Sequence, residues 1–203
     1  MKKLLVAVFA VLALSVSSFA GGWGLGVKLG AGQNDPKTLK DAHTSGTLTE
    51  APGVFALEGL YEWDLQGKKF KQVGSENKIG LRFGFDFYGE NKLEQGGATA
   101  KEETVSFPIT VYYKHDSGIK KVSWYAGAGL TCMTSEMRVS PGTDRDKTKT
   151  FPHIMAGAEY RFSKLFALGL DLKYNFNAKI TKDDIVLSDR TGLQGVLAGR
   201  FYF

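Results

Sequence analysis

Phe166-Ala-Leu-Gly-Leu-Asp-Leu-Lys-Tyr-Asn-Phe176 decides the fold. Every second residue is apolar: Phe166, Leu168, Leu170, Leu172, Tyr174 and Phe176. Between them stand Ala167, Gly169, Asp171, Lys173 and Asn175. Strand side chains point alternately to opposite faces, so this is a strand with one apolar and one polar side. Seven further segments read the same way: 23–32, 55–64, 79–88, 105–114, 122–131, 153–162 and 193–203. Each has about ten residues, the length of a tilted strand crossing a hydrocarbon layer. The joins alternate in length, with long ones at 33–53, 89–103, 133–151 and 177–191. Shorter ones lie at 66–77, 115–121 and Ser163-Lys164. The expected fold is all-β: a closed, antiparallel, up-and-down, eight-stranded transmembrane β-barrel.

Alternation alone does not say which face meets lipid. A soluble barrel would put the apolar set inside. Three features place it outside. The polar set is rich in glycine (24, 26, 30, 32, 80, 84, 127, 129, 157, 169), which a water-facing strand has no need of but a narrow lumen does. Its charges balance, with Lys28, Arg82, Lys114, Arg161, Lys173 and Arg200 against Glu58, Glu62, Asp64, Asp86, Glu159 and Asp171. An enclosed space demands that balance, because a buried unpaired charge is costly. Finally, Trp23, Trp63 and Trp124 fall at one rim with Phe162 and Phe166, as an aromatic girdle at a lipid headgroup level would.

The 203 residues suit one domain. Lys2 and Lys3, an apolar run from Leu4 to Val16, and Ser18-Phe19-Ala20 read as a secretory signal peptide over 1–20. The barrel domain is then 21–203, and its net charge falls from +5 to +3 with the two lysines removed. The single Cys132, on the lipid side by phase, excludes an internal disulfide framework and any multi-cysteine metal site.

The chain resembles the small eight-stranded outer-membrane barrels of Gram-negative bacteria, the OmpA-barrel, OmpX and opacity-protein group. The resemblance covers the mature chain. It rests on the signal peptide, the eight alternating segments, the long outer loops and the ending Leu197-x-Gly199-x-Phe201-x-Phe203. It implies a bacterial outer-membrane location. It also implies that Phe201 and Phe203 are the insertion signal read by the barrel-assembly machinery. The surrounding partners would be outer-membrane lipids and lipopolysaccharide.

An eight-stranded barrel is just wide enough for side chains to fill. The twelve charges should therefore form a salt-bridge network that plugs the lumen, leaving envelope integrity or surface contact to the outer loops. A narrow porin-like channel for small solutes or ions is the alternative, and an outer-membrane lipid hydrolase a third. The hydrolase lacks support. His153 faces the lumen, but Met155 stands where the His-x-Ser pattern of barrel deacylases needs a serine. No enzyme, no cofactor, no metal site and no nucleic-acid partner is expected. The acidic pairs Glu102-Glu103 and Asp183-Asp184 read as solvated loop residues, and the lysines of the inner rim as solvated or facing lipid headgroups. Pro108 predicts a bulge or local distortion, and Glu136–Ser140 an extension of the fifth segment above the membrane with an exposed edge open to strand addition.

Overall fold

The computed structural model describes residues 22–32, 47–49, 53–65, 77–95, 98–117, 119, 121–140, 142, 144–183 and 185–203. The signal segment and the join at 66–76 lie outside the described residues. Among the described residues, twelve strands follow in chain order: β1 (Gly22–Gly32), β2 (Thr47–Thr49), β3 (Gly53–Asp64), β4 (Asn77–Tyr88), β5 (Asn91–Gln95) and β6 (Ala98–Asp116). Then come β7 (Val122–Ser140), β8 (Arg145–Arg161), β9 (Phe166–Asn175), β10 (Lys179–Lys182), β11 (Ile185–Asp189) and β12 (Gly192–Tyr202).

Eight of these close a barrel in the order β1-β3-β4-β6-β7-β8-β9-β12, each antiparallel to its neighbours, with β12 pairing back onto β1. The register fixes its shape. Stepping through paired residues from Gly22 to Glu62, Gly80, Tyr112, Gly127, Met155, Lys173 and Gln194 returns to β1 at Gly32, ten residues further on. Eight strands with that stagger tilt by roughly 40° and enclose a cylinder of roughly 8 Å backbone radius. Phe203 N donates to Trp23 O at 2.8 Å, tying the last residue to the first strand.

Within the membrane span the apolar face looks outward. Leu25, Val27, Leu29, Val111, Leu130, Leu168, Leu170 and Leu197 are all exposed, whereas Glu58, Arg82, Asp171 and Arg200 are buried. The inward glycines make room for long side chains across the bore. A Cβ on Gly80 would meet the Tyr112 ring at 2.2 Å, one on Gly26 the Glu58 carboxylate at 2.6 Å, and one on Gly169 Arg200 Nη1 at 2.2 Å.

Two sequence expectations are corrected and a third is narrowed. Residues 89–103 and 177–191 are not loops throughout: β5, the first part of β6 and the β10–β11 hairpin occupy most of them. The fifth segment does extend above the membrane as β7, but its edge is not open. It pairs with β6 from Thr99↔Ser140 downward and with β8 from Met137↔Arg145 downward. At Pro108 the expected local distortion is present as a gap in the ladder, not as a bulge. The β4–β6 register is the same on both sides, and only the rungs opposite Gly84 and Phe85 are missing, as expected where proline lacks an N–H.

Candidate functional site: a filled lumen under an extracellular cap

The lumen is filled in tiers. At the centre, Glu58 and Asp171 are each shared by three cations. Lys28 Nζ lies 2.6 Å from Glu58 and 3.0 Å from Asp171. Arg200 donates from Nε to Glu58 at 2.6 Å and from Nη2 to both Asp171 oxygens at 2.6 and 2.7 Å. Arg82 reaches Glu58 at 3.4 Å and Asp171 at 3.0 Å, and its guanidinium lies 4.8 Å from the centroids of both the Tyr112 and Tyr125 rings. Tyr125 also donates to Asp171. Positive and negative groups alternate, so each charge removed from water meets its opposite on more than one side.

Towards the periplasmic end, Lys114 Nζ donates to Glu62 at 3.0 Å, Glu159 at 2.8 Å and Tyr202 at 3.2 Å. Tyr112 donates to Glu62 at 2.9 Å and Tyr202 to Glu159 at 2.6 Å. Arg200 joins this tier to the centre through Glu159 at 3.4 Å. Towards the outer end, Lys173 holds Asp86 at 2.5 Å. His153 is clamped between two threonines, with Thr110 at 2.8 Å from Nε2 and Thr131 at 2.9 Å from Nδ1. Both ring nitrogens are thus engaged by threonine hydroxyls. Between the tiers lies a cavity of about 30 Å³ lined by Lys28, Arg82, Asp86, Thr110 and Lys173 among others, room for a water or two.

Of the twelve charges singled out from the sequence, Lys28, Glu58, Glu62, Arg82, Lys114, Glu159, Asp171 and Arg200 form one connected buried network. Asp86 and Lys173 make a separate pair above it. Arg161 is half-buried, 3.6 Å from Glu159 at the rim. Asp64 lies outside the filled bore: its side chain is 54% exposed and meets Lys78 at 3.4 Å. The sequence reading ended that strand one turn of alternation too far inside.

It also missed a pair. Glu102, read as a solvated loop acid, is wholly buried beneath the β10–β11 hairpin. It accepts from Asn91 at 2.8 Å, Thr104 at 3.0 Å and Arg190 at 3.4 Å, and Arg190 lies over the Tyr88 ring. The pair closes the outer mouth without upsetting the charge balance. Above it an apolar cluster of Met133, Met137, Phe151, Ala178, Ile180 and Leu187 fixes the hairpin across the inner face of β6, β7 and β8. The available signal was Ile180 and Leu187, apolar residues inside a supposed solvated loop.

On the outside, Trp23, Tyr61 and Trp63 stack edge to face at 4.8 and 4.5 Å, and Trp124 meets Tyr113 at 6.1 Å. Phe162, Phe166 and Phe201 continue the same rim at 5.8 and 5.1 Å. Phe203 is the most exposed of these aromatics, at 74%.

The outer membrane protein beta-barrel domain model matches residues 4–201. Among solved structures, the chain is similar to OprG of Pseudomonas aeruginosa, with 8% identity, 91% of this chain and 96% of that one covered, and a TM-score of 0.55. It is similar to Ail, the attachment invasion locus protein of Yersinia pestis, at 11% identity, 90% and 97% coverage and a TM-score of 0.52. Ail in complex with the heparin analogue sucrose octasulfate gives 10%, 91%, 100% and 0.51. No curated protein matches in sequence. At such identities the solved structures speak for the fold alone. With a family match over nearly the whole length and a closed barrel that turns its apolar face outward, the chain belongs to the outer membrane protein beta-barrel domain family and is an integral protein of the bacterial outer membrane.

Proposed function

We propose that the barrel is a closed, non-enzymatic scaffold whose work is done outside the cell, by surface contact or envelope stabilisation through its extracellular strands and loops. The carrying observation is the contrast between its two halves. The bore is occupied by paired charges and tyrosines around a cavity of only about 30 Å³. Strands β6 and β7, at 19 residues each, and β8, at 17, run well past the ten or so that a membrane crossing needs. A rigid extension capped by a packed hairpin is a platform for contact. The surrounding partners are outer-membrane lipids, including lipopolysaccharide. Export removes residues 1–20, and the barrel-assembly machinery reads Phe201 and Phe203.

Refolding residues 21–203 into a planar bilayer tests the closed bore. Silence from protein shown to be folded by heat-dependent gel mobility supports the scaffold. Discrete, reproducible openings would replace it with the narrow channel, and release of fatty acid from labelled lipid would replace it with the hydrolase.

A further inference from the structure

The cavity between the central tier and the Asp86–Lys173 pair is rich in donors and short of acceptors. Lys28 Nζ uses two of its three N–H groups, on Glu58 at 2.6 Å and Asp171 at 3.0 Å. Lys173 Nζ uses one, on Asp86 at 2.5 Å. Arg82 Nε is buried with no hydrogen-bond partner among the described residues, since Glu58 stands 3.4 Å away and poorly aligned. Gln194 accepts from Tyr88 through Oε1 at 3.4 Å, which leaves its amide N–H groups. All four side chains line the cavity. The carboxylates beside them are nearly full. Asp171 accepts from Lys28, Arg82, Arg200 and Tyr125. Glu58 takes Arg200 on one oxygen and Lys28 on the other. Only Asp86, with Lys173 and Ser106 both on Oδ2, has an oxygen to spare. A water among these groups must donate as well as accept, and it meets few acceptors. A halide only accepts.

The distribution of charge along the bore favours the same guest. The central tier sets three cations, Lys28, Arg82 and Arg200, against two carboxylates, Glu58 and Asp171. The Asp86–Lys173 pair above the cavity is neutral. The tier below has the opposite sign, with Glu62 and Glu159 around Lys114, and the half-buried Arg161 and Lys78 meet it from the rim at 3.6 and 3.8 Å. One positive charge is therefore left over beside the cavity. We propose that this cavity, between Lys28, Arg82 and Lys173, holds one monovalent anion of halide size. Its volume of about 30 Å³ suits a single such ion. An anion taken out of water is costly unless opposite charge and donors replace its hydration, and both are supplied here. The ion is structural, enclosed as the strands close around it. It belongs to the bore and is independent of the surface-contact reading.

The test has two arms. Residues 21–203 are inserted into phosphatidylcholine vesicles in sodium chloride, in sodium bromide and, at the same ionic strength, in sodium gluconate, whose anion is too large for the cavity. Urea unfolding then gives the folding equilibrium constant. An ion bound by the folded barrel alone multiplies that constant by one plus its concentration over its Kd. Each tenfold rise in halide above the Kd should therefore raise the constant roughly tenfold, and gluconate should leave it unchanged. Crystals grown in sodium bromide should show an anomalous-scattering peak in the cavity, within hydrogen-bond distance of Lys28 Nζ, Lys173 Nζ and Arg82 Nε. Lys28→Met leaves two cations to two carboxylates in the central tier, so the barrel should fold while the peak and the halide dependence disappear. Should that variant not fold, Asp86→Asn with Lys173→Gln exchanges one neutral pair for another and takes away the Lys173 donors, weakening halide binding roughly tenfold or more. Water alone in the cavity of bromide-grown crystals, or a peak only elsewhere on the barrel, would overturn the site. So would equal stabilisation by gluconate, or an undiminished halide dependence in a folded variant.

Discussion

Replacing Arg200 by methionine tests the logic of the bore most directly. The guanidinium is fully buried and has four partners: Glu58, Asp171, Glu159 and Tyr125. At the buried centre of the network, four cations (Lys28, Arg82, Lys114, Arg200) meet four carboxylates (Glu58, Glu62, Glu159, Asp171), with Arg161 and Lys78 adding longer contacts from the rim at 3.6 and 3.8 Å. Arg200→Met leaves three against four at that centre. Removing one side of a buried pair costs about 3–5 kcal/mol. Here the lower end applies, because Glu58 and Asp171 each keep Lys28 and Arg82, and Glu159 keeps Lys114 and Tyr202. Adding Glu58→Gln restores the balance, and the double variant should recover about 1–2 kcal/mol of the loss, well beyond additivity for neighbours in one network. The assay is urea unfolding of the vesicle-inserted barrel, followed by the fluorescence of Trp23, Trp63 and Trp124. These sit at the rim, on the outward face, away from the substitution. A cost below about 1 kcal/mol for Arg200→Met, or strict additivity with Glu58→Gln, would refute the idea that charge pairing holds this lumen together.

Other outcomes follow from the same geometry. Gly80→Ala pushes a methyl into the Tyr112 ring, which is pinned by Glu62 and Arg82, and should cost about 1–3 kcal/mol in the same unfolding experiment. Leu187→Ala, inside the extracellular cluster, should cost about 2–5 kcal/mol of local stability. Hydrogen exchange should then speed up in 179–189 while β9 and β12 keep their protection. Excising the hairpin, residues 178–190, uncovers the outer mouth but leaves the central tiers, so the barrel should stay silent in a planar bilayer. Mass spectrometry of the exported protein should give a chain that begins at Gly21.

The barrel was legible because lipid and lumen impose opposite demands on alternate residues. The run from Phe166 to Phe176 needs no alignment to be read, and glycines opposite long side chains said which face was inside. Gly80 under Tyr112 and Gly169 under Arg200 are that argument in atomic form. Apart from the extension of the fifth segment, what escaped lies above the membrane, and the reason is physical. There, water lies outside the wall in place of lipid, and the rule that located the strands reverses.

Strand β7 carries the reversal in one unbroken run. From Val122 to Cys132 its outward residues are Trp124, Ala126, Ala128, Leu130 and Cys132, and its inward ones Ser123, Tyr125, Gly127, Gly129 and Thr131. From Met133 the pattern changes hands: Met133 and Met137 turn inward and are buried, while Thr134 and Arg138 turn outward and are exposed and Glu136 is partly covered. Strand β8 switches at the same rung, with Ile154 outward below and Phe151 inward above. The backbone does not break, so the change belongs to the solvent. A period-two reading that expects polar residues inside loses the strand at this rung and reports a loop. Such a change of phase, in a strand longer than a membrane needs, marks where the outer leaflet ends. It also separates the two jobs of the chain. Below it, paired charges fill a bore against lipid pressure from outside. Above it, an ordinary apolar core of Met133, Met137, Phe151, Ile180 and Leu187 holds a small water-facing structure on top of the barrel.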